Sequence, residues 1–495
     1  MLRRFISQNT LWCALIIVAG LTASCKKSNN TPDGAGLPQG ASGTRAELTK
    51  DSIYLYAQQT YYWNVGMPSY SSFNPRQYGS NNAVLAALKA LPSTGGRDKY
   101  SFIDDGSVAS QLSGAGVDYG FSANFDTNDF LRVKYVYPGS PADLKGLKRG
   151  YRLIKVNDGG TSRSSNDIAN LNASIFGDNP SISLTFVKPD GSTQDIVINR
   201  ASYNINPVLY TNTYTIGAKK VGYIVFNSFT TNATAALDAA FSKFTTDGVT
   251  ELVVDLRYNG GGSVATSELF TNLIAPPAQN GKIMYTTYWT KTMQDGNATI
   301  LQNQKFYAKG NDGVTRLYSY FDYSYKPTVA AGNQEIFAKR GALNGLTRVY
   351  FLVTSSTASA SELLINNLKP VLDVKLIGKT TYGKPVGFFS IRIDKNDLYI
   401  PQFQTKNQLD QGDYFAGMTV DKDVADDLTK DFGDPSEKML AQALYYSANN
   451  NFSALAKDNL LSSTSGIARQ QIDAANEKLD HAFKGMVETR KLKFK

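Results

Sequence analysis

Three short segments of the sequence combine residue types that could act in catalysis. The first, residues 255–262, reads Asp-Leu-Arg-Tyr-Asn-Gly-Gly-Gly and lies between an apolar strand pattern and a helical pattern. Glycines at such a turn leave backbone amides pointing outward at a helix start, where they can bind a phosphate or stabilise an oxyanion. The segment contains neither Gly-x-Gly-x-x-Gly nor Gly-Lys-Ser/Thr, which argues against a nucleotide loop. Taken alone, the glycine triplet fits a structural turn better than a binding loop.

The second segment is a serine-rich helix start at residues 357–364, Thr-Ala-Ser-Ala-Ser-Glu-Leu-Leu. Ser359 and Glu362 have the spacing of a capping box, so a plain helix cap explains the pattern without any catalysis. The alternative is a nucleophilic hydroxyl at a helix N-terminus, where the backbone amides and the helix dipole stabilise a developing anion. The segment by itself favours the cap.

The third segment, residues 380–389, reads Thr-Thr-Tyr-Gly-Lys-Pro-Val-Gly-Phe-Phe and places Lys384 among apolar neighbours. Burial disfavours an ammonium group and lowers its pKa, so a desolvated Lys384 could act as a general base. Without further evidence, a surface lysine explains this residue better.

The rare residue types exclude several classes of site. The single histidine is His481, and the two cysteines, Cys13 and Cys25, both lie near the start of the chain. These counts exclude a His-Glu-x-x-His zinc site, a catalytic thiol in the folded body and an iron–sulfur cluster. A hydrolase with this composition would use a hydroxyl nucleophile and a base other than histidine. The formal net charge of +9 comes without a basic block, so nucleic-acid binding is not expected.

The elements that must position the three segments alternate between strand and helix over residues 204–445, which predicts an α/β fold. The apolar strand patterns at 251–256 and 347–353 predict strands that are buried on both faces of a sheet. Residues 277–345 interrupt the alternation, and we interpret them as an insertion of uncertain structure.

Helical patterns are predicted on both sides of this region. Apolar spacing at 44–62 and 82–91 predicts a helical N-terminal region over residues 45–104. Residues 446–495 are expected to form a helical tail, in which the basic end at 490–495 is solvated and frayed.

Short β-type runs separated by turns characterise residues 105–203. The runs are 130–137, 152–157, 182–187 and 194–198. With the short helix between glycine turns that follows the first run, the pattern strongly resembles a PDZ domain. This resemblance implies that Tyr119, Gly120 and Phe121 belong to a carboxylate-binding loop and a peptide-pairing strand. The alternative is a small β-barrel that only braces its neighbour.

The start of the chain has the features of an export signal. Basic residues precede an apolar run at 11–23, which is too short for an ordinary membrane span, and small residues then lead to Cys25. This arrangement resembles a bacterial lipoprotein signal, with residues 1–24 removed and Cys25 acylated; simple secretion is the alternative. The polar residues 25–44 are expected to form a flexible tether between the lipid anchor and the folded body.

Taken together, the segments resemble the C-terminal processing peptidases, also called tail-specific proteases. The resemblance covers about residues 105–430: a PDZ-like region, Asp-Leu-Arg-x-Asn-x-Gly-Gly, Ala-Ser-Ala-Ser-Glu, Thr-x-Gly-Lys and a closing segment at 417–423. Members of this family are serine proteases that use a Ser-Lys dyad, which suits a chain without a usable histidine.

The resemblance implies a role for each matched residue. Ser359 is the nucleophile, Lys384 is the general base, and the backbone amides of Ala360 and Gly261 form the oxyanion hole. Lys379 is a weaker candidate for the base because it lacks the Thr-x-Gly context. The family usually has a glutamine four residues after the lysine, where this chain has Phe388.

The sequence therefore predicts a multidomain α/β (α+β) protein with an N-terminal helical segment, a PDZ-like β-barrel over 105–203 and a serine-peptidase core over 204–445. We expect an endopeptidase that acts on exported polypeptides, needs no metal or organic cofactor and is lipid-anchored in the cell envelope, facing the periplasm or the outer surface. The main alternative is a catalytically inactive peptide-binding lipoprotein on the same fold. The abundance of tyrosine is the one hint of a carbohydrate-binding surface protein.

Overall fold

The computed structural model of the protein describes residues 42–310, 312–454, 463–489 and 492–495. The predicted signal peptide, Cys25 and most of the predicted tether lie outside these residues. Within the described ranges, no helix is both long enough and apolar enough to cross a membrane.

The N-terminal region is mainly helical, with helices at the two places where the apolar spacing predicts them. Its elements are α1 (Arg45–Thr60), α2 (Tyr70–Phe73), α3 (Asn81–Lys89) and β1 (Phe102–Asp104), with 3-10 turns at Pro75–Gln77 and Pro92–Thr94. Helix α1 begins at Arg45 because Thr44 and Glu47 form a capping box. Buried residues such as Tyr54 and Leu85 join the largest hydrophobic core of the protein.

A five-stranded antiparallel sheet with its own hydrophobic core follows, and its strands include all four predicted β-runs. The elements are α4 (Ser107–Ser113), β2 (Ala115–Asp118), β3 (Phe121–Phe125), β4 (Leu131–Val136), α5 (Pro141–Leu144), β5 (Arg152–Val156), α6 (Ser165–Ile175), β6 (Ser181–Val187), β7 (Thr193–Asn199) and β8 (Ala201–Asn204). The sheet order is β3-β4-β5-β6-β7, and β2 pairs with β8. We call residues 115–204 the five-stranded unit.

The central sheet has six strands in the order β23-β18-β17-β11-β10-β9, all parallel except β9. Its elements are β9 (Val208–Ile216), β10 (Lys219–Phe226), α7 (Thr234–Asp247), β11 (Glu251–Asp255), β12 (Gly261–Ser263), α8 (Val264–Ile274), β17 (Arg348–Val353), α10 (Ala360–Leu368), β18 (Asp373–Gly378), β23 (Lys422–Asp423) and α11 (Lys438–Asn449). Alternate residues of β11 face opposite sides: Val254 packs with α7, α8 and α10, and Val253 packs with α11. Both faces are covered, as the apolar strand patterns predict.

The insertion at 277–345 is part of a second sheet. Its elements are β13 (Ile283–Trp289), α9 (Lys291–Gln294), β14 (Lys305–Lys309), β15 (Thr315–Ser319) and β16 (Gln334–Ile336), with 3-10 turns at Pro277–Gln279, Thr299–Asn303 and Tyr320–Asp322. Strand β13 pairs with later strands of the chain, in the order β16-β13-β22-β19. The later strands are β19 (Val386–Gly387), β20 (Ile391–Ile393), β21 (Asn396–Tyr399) and β22 (Phe403–Asn407). The insertion thus braces the chain that directly follows Lys384.

The C-terminal region is only partly helical, which corrects the expectation of a helical tail over 446–495. Helix α12 (Ser463–Lys478) is followed by extended chain and by β24 (Gly485–Val487), which pairs in parallel with β12. The basic end is not frayed over 492–495: Phe494 stacks on Tyr318, and Leu492 is buried. Aromatic stacking and apolar burial hold this end in place. The prediction of a frayed end considered only its basic residues and could not foresee these contacts.

Candidate active site

The three candidate segments meet at the carboxyl ends of the parallel strands, the edge at which α/β sheets place their sites. Ala358 N donates to Asn259 O at 3.1 Å, and Tyr382 N donates to Thr357 O at 2.9 Å. Ser361 Oγ adds a bond to Asn259 O at 3.0 Å. The glycine turn, the serine helix start and the lysine loop therefore form one hydrogen-bonded cluster.

Ser359 occupies the turn between β17 and α10 in a strained backbone conformation. Its φ of 62° and ψ of −109° lie outside the regions that a residue with a Cβ readily adopts. The side chain is 0 % exposed, and Oγ has no hydrogen-bond partner among the described residues. Strain at a buried, unpaired hydroxyl costs free energy and is characteristic of functional turns. Ser359 N donates to Glu362 Oε2 as in the predicted capping box, and the strained backbone and the unpaired hydroxyl are additional to what a plain helix cap requires.

The carboxylate of Glu362 links the serine helix start to the lysine loop through four hydrogen bonds. Its Oε2 accepts hydrogen bonds from Ser359 N and from Lys384 N, each at 2.8 Å. Its Oε1 accepts from Thr381 Oγ1 at 2.5 Å and from Gly383 N at 2.7 Å. Burial raises the pKa of this carboxyl, and the four donors oppose that shift. One carboxylate oxygen thus holds the backbone of both proposed catalytic residues.

Lys384 is fully buried, and burial lowers its pKa from 10.5 to about 7, against the opposing charges of Asp98 and Glu362. Its Nζ lies 4.0 Å from the centre of the Phe388 ring and donates a hydrogen bond to Lys484 O at 2.6 Å. Phe388 therefore contacts the lysine by its ring face, at the position where the resembling family has glutamine. Lys384 Nζ makes no hydrogen bond to Ser359 Oγ in this state.

The backbone of Gly261 passes close to Ala360 N, the other amide named for the oxyanion hole. Gly261 has a φ of +108°, and a Cβ placed there would lie 2.9 Å from Ala360 N and 2.3 Å from Gly485 O. Only glycine fits this approach. Gly261 N donates to Asn259 Oδ1 at 2.9 Å, so this amide is engaged in the state described. Use of Gly261 N for an oxyanion requires that bond to break or to be shared.

Residues outside the three segments support the site, and sequence reasoning missed them. Tyr100, from the N-terminal region, donates from its hydroxyl to Gly383 O at 2.5 Å and lies 5.5 Å from Lys384 Nζ by its ring centre. Nothing in the sequence near Tyr100 indicates a link to the lysine loop, because the two lie 283 residues apart.

A buried ionic cluster lies behind the glycine turn. Arg257 is 1 % exposed and donates to Asp255 Oδ2 at 2.6 Å and to Asp426 Oδ1 at 2.8 Å. It also forms an ion pair with Glu437 Oε1 at 2.9 Å. Arg149, from the five-stranded unit, also pairs with Asp426 at 3.1 Å. Burial alone would raise the pKa of Asp426, but the two guanidinium groups hold it below its usual value. A charged residue directly after a nearly all-apolar strand is the sequence signal that could have indicated such partners.

Lys379 lies apart from the cluster. Its ammonium pairs with Asp423, and its side chain is 38 % exposed, so it is not desolvated in the way that Lys384 is.

The predicted carboxylate-binding loop is already satisfied within the chain. Gly120 N donates to Asp118 Oδ1 at 2.7 Å, and Tyr119 is buried with its hydroxyl bonded to Asn179 O at 2.8 Å. Phe121 is buried at the start of β3 and pairs with Val136. The loop amide of Gly120 therefore binds a carboxylate, but one that belongs to its own chain.

Comparison with known proteins identifies the domain that carries this cluster. Residues 220–425 match the family model described as peptidase family S41. The chain contains an S41 peptidase domain. This domain includes all three candidate segments and the insertion, whereas the five-stranded unit and the C-terminal region lie outside the match.

Relatives of the S41 domain are moderately similar in sequence. The chloroplastic C-terminal processing peptidase of Tetradesmus obliquus is 25% identical over 289 residues, which cover 55% of this chain and 52% of the relative. A CtpA-like serine protease of Staphylococcus aureus (strain bovine RF122 / ET3-1) is 24% identical over 304 residues, which cover 61% of this chain and 51% of the relative. The chain thus spans about half the length of these relatives.

One solved structure resembles the protein beyond the S41 domain. The crystal structure of an S41 protease from Bacteroides fragilis NCTC 9343 superposes with a TM-score of 0.58 at 24% identity, over 84% of this chain and 99% of that one. At this level of identity the likeness concerns the fold alone.

Proposed function

We propose that the protein is a serine endopeptidase in which Ser359 is the nucleophile and Lys384 is the general base. The observation that carries the proposal is the shared use of Glu362 Oε2 by the backbone nitrogens of both residues, which holds them side by side. The full burial of Lys384 supports it further, because a neutral amine near pH 7 can accept a proton.

In the proposed reaction, Ser359 Oγ attacks a peptide carbonyl while neutral Lys384 takes the hydroxyl proton. The carbonyl oxygen becomes an oxyanion near Ala360 N and Gly261 N, at the positive end of the α10 dipole. The protonated lysine then gives its proton to the departing amine. Water, activated by the same lysine, hydrolyses the acyl-enzyme and frees Ser359.

We further propose that the five-stranded unit is PDZ-like and recognises polypeptide tails, and that a lipid on Cys25 anchors the protein in the cell envelope. The order of strands and the small-residue sequence before Cys25 support these two proposals. Since Gly120 N already donates to Asp118, the C-terminal carboxylate of a bound substrate must displace this side chain or bind to other amides.

The test is cleavage of casein by residues 26–495, which contain every described residue. Ser359→Ala and Lys384→Ala are each expected to abolish cleavage, a loss of about 10³-fold or more, because the nucleophile or its base is missing. Lys379→Ala is the matched control and should retain activity. A serine-directed fluorophosphonate should label the unsubstituted protein but not Ser359→Ala. Retained cleavage by Ser359→Ala would refute the dyad. If no form cleaves casein while peptides still bind, the result favours either the inactive binding protein or an enzyme that needs a specific polypeptide tail to open it, because a closed site also prevents labelling.

The pH dependence of kcat/KM provides an independent check. Lys384 must be neutral to act as a base, and its pKa is lowered to about 7, so activity should rise with pH and level off above this value. Well below pH 7, the rise should be about tenfold per pH unit. His481→Gln is the control, since it removes the only histidine and should leave the profile unchanged. A profile that is flat from pH 6 to 9 contradicts this role for Lys384.

A further inference from the structure

The C-terminal region packs against two parts of the protein, the five-stranded unit and the candidate active site. Helix α12 lies against β3 of the five-stranded unit, where Asn476 receives a hydrogen bond from Phe125 N at 2.7 Å and donates one to Phe125 O at 2.9 Å. Ile472 and Leu479 are buried in the core of that unit. The side chain of Asn476 therefore occupies the backbone N–H and C=O of Phe125, to which a peptide paired with β3 would form hydrogen bonds.

Beyond α12, residues 479–489, which we call the tail, enter the cleft beside Ser359. Gly485 N donates to Gly260 O at 3.1 Å on one side. On the other side, Phe388 N donates to Met486 O at 3.0 Å, and Glu488 N donates to Phe388 O at 2.9 Å. The tail is thus an extended strand with partners on both sides, between the glycine turn and the chain that follows Lys384.

Side chains fix the tail at the entrance of the cleft. Asp480 accepts hydrogen bonds from Ser356 Oγ and Lys484 Nζ, each at 2.8 Å. Lys134, a buried lysine of the five-stranded unit, is attracted by the same carboxylate. Met486 is 0 % exposed. The tail is therefore held by ionic attraction, hydrogen bonds and apolar burial together, as a bound peptide would be.

We propose that the tail closes the active site in cis by occupying the cleft as a substrate strand would. The inference rests on the proposed function and adds that the structure shows the enzyme in a closed form. Ser359 and Lys384 are both 0 % exposed, and Lys484 O takes the hydrogen bond of the lysine that should accept the serine proton. A substrate must displace the tail. Because the tail is part of the same chain, it competes with the substrate at an effective concentration of about millimolar.

The geometry also describes the substrate that fits. Backbone partners on both sides select an extended polypeptide over a folded surface. At Gly261 the cleft leaves no room for a Cβ, and Gly485 O lies against that point. The substrate carbonyl nearest Ala360 N should take the place of this oxygen.

A reversible lock tests the proposal. Ser263 Oγ and Thr489 Oγ1 lie 2.6 Å apart, and residues 26–495 contain no cysteine, so Ser263→Cys with Thr489→Cys would form one disulfide between the tail and β12. We expect the oxidised protein to cleave casein at least about tenfold more slowly than the same protein after reduction. Thr489→Cys alone controls for the effect of oxidant. Equal rates before and after reduction would overturn the proposal.

A second variant releases the tail without a crosslink. Met486→Asp places a carboxylate in a fully buried position and should raise the casein cleavage rate several-fold, whereas Lys493→Asp puts the same residue at an exposed position and should not. Amide hydrogen exchange reports the tail independently of activity: Phe388 and Glu488 should be protected in the unsubstituted protein and should exchange faster in Met486→Asp. Fast exchange of both amides in the unsubstituted protein would overturn the proposal. If these amides are protected but Met486→Asp cleaves nothing, the proposed peptidase function fails while occupation of the cleft stands.

Discussion

Glu362→Gln is expected to reduce kcat by about 10²-fold or more, although the two side chains have the same shape. Each carboxylate oxygen of Glu362 accepts two hydrogen bonds, so either orientation of a glutamine amide points its NH₂ group at two donors. The donors include the backbone nitrogens of Ser359 and Lys384. An NH₂ group at the Oε2 position faces the nitrogens of Ser359 and Lys384, and at the Oε1 position it faces Gly383 N, next to Lys384. Either repulsion should shift the lysine loop relative to Ser359.

The same substitution should lower the free energy of unfolding by about 2–4 kcal/mol, since two buried donors lose their acceptor. Glu47→Gln is the matched control, because Glu47 holds the corresponding place in the capping box of α1 near the surface, where glutamine serves equally well. The measurements are steady-state kinetics on casein and urea unfolding. Normal kcat in Glu362→Gln would show that the shared carboxylate does not position the dyad.

Arg257→Met should destabilise the protein by about 3–5 kcal/mol, the largest effect that we expect on folding. The guanidinium group is 0 % exposed and faces Asp255 and Glu437, each 1 % exposed, together with Asp426. Its removal takes this counter-charge away from the buried carboxylates of Asp255 and Glu437, whereas Asp426 keeps its pair with Arg149. Because the arginine lies in the glycine-turn segment, we also expect activity to fall below the level that the folded fraction alone would give.

Arg340→Met is the comparison, since Arg340 pairs with Asp238 at side-chain exposures of 44 % and 38 %. Exposed pairs contribute about 0–1 kcal/mol, so this variant should unfold near the midpoint of the unsubstituted protein. Both variants are measured by urea unfolding followed by circular dichroism. Equal midpoints for the two would mean that burial does not govern the ion pairs at the glycine turn.

The local patterns were sufficient to predict much of the S41 domain. The mostly apolar run at 251–255, with its β-branched residues and the glycines that follow, predicts a strand covered on both faces, and the strand-to-helix turns at Asn259 and Ser359 are consistent with glycine and capping chemistry. The segments that could act in catalysis were also visible, because chemistry needs particular residue types at short spacing.

The remaining features depend on contacts between distant parts of the chain. Strand β13 finds its partner in β22, and Phe388 contacts Lys384 through a ring that looks merely apolar in the sequence. The sequence predicted a helix over the tail, whereas its extended form arises from pairing with β12 and Phe388. Single-sequence patterns carry no information about such pairing.

The parallel pairing of β24 with β12 has a consequence for biosynthesis. Ser263 and Thr489 are 226 positions apart, so the ribosome completes the glycine turn, the serine helix and the lysine loop well before it makes the strand that lies between them. Domains generally begin to fold in that order. Until residues 485–488 are made, Gly260 O and Phe388 N lack the hydrogen-bond partners that they have in the finished protein. With the proposed closure by the tail, the active site of the nascent protein is therefore open until the last residues of the chain are made.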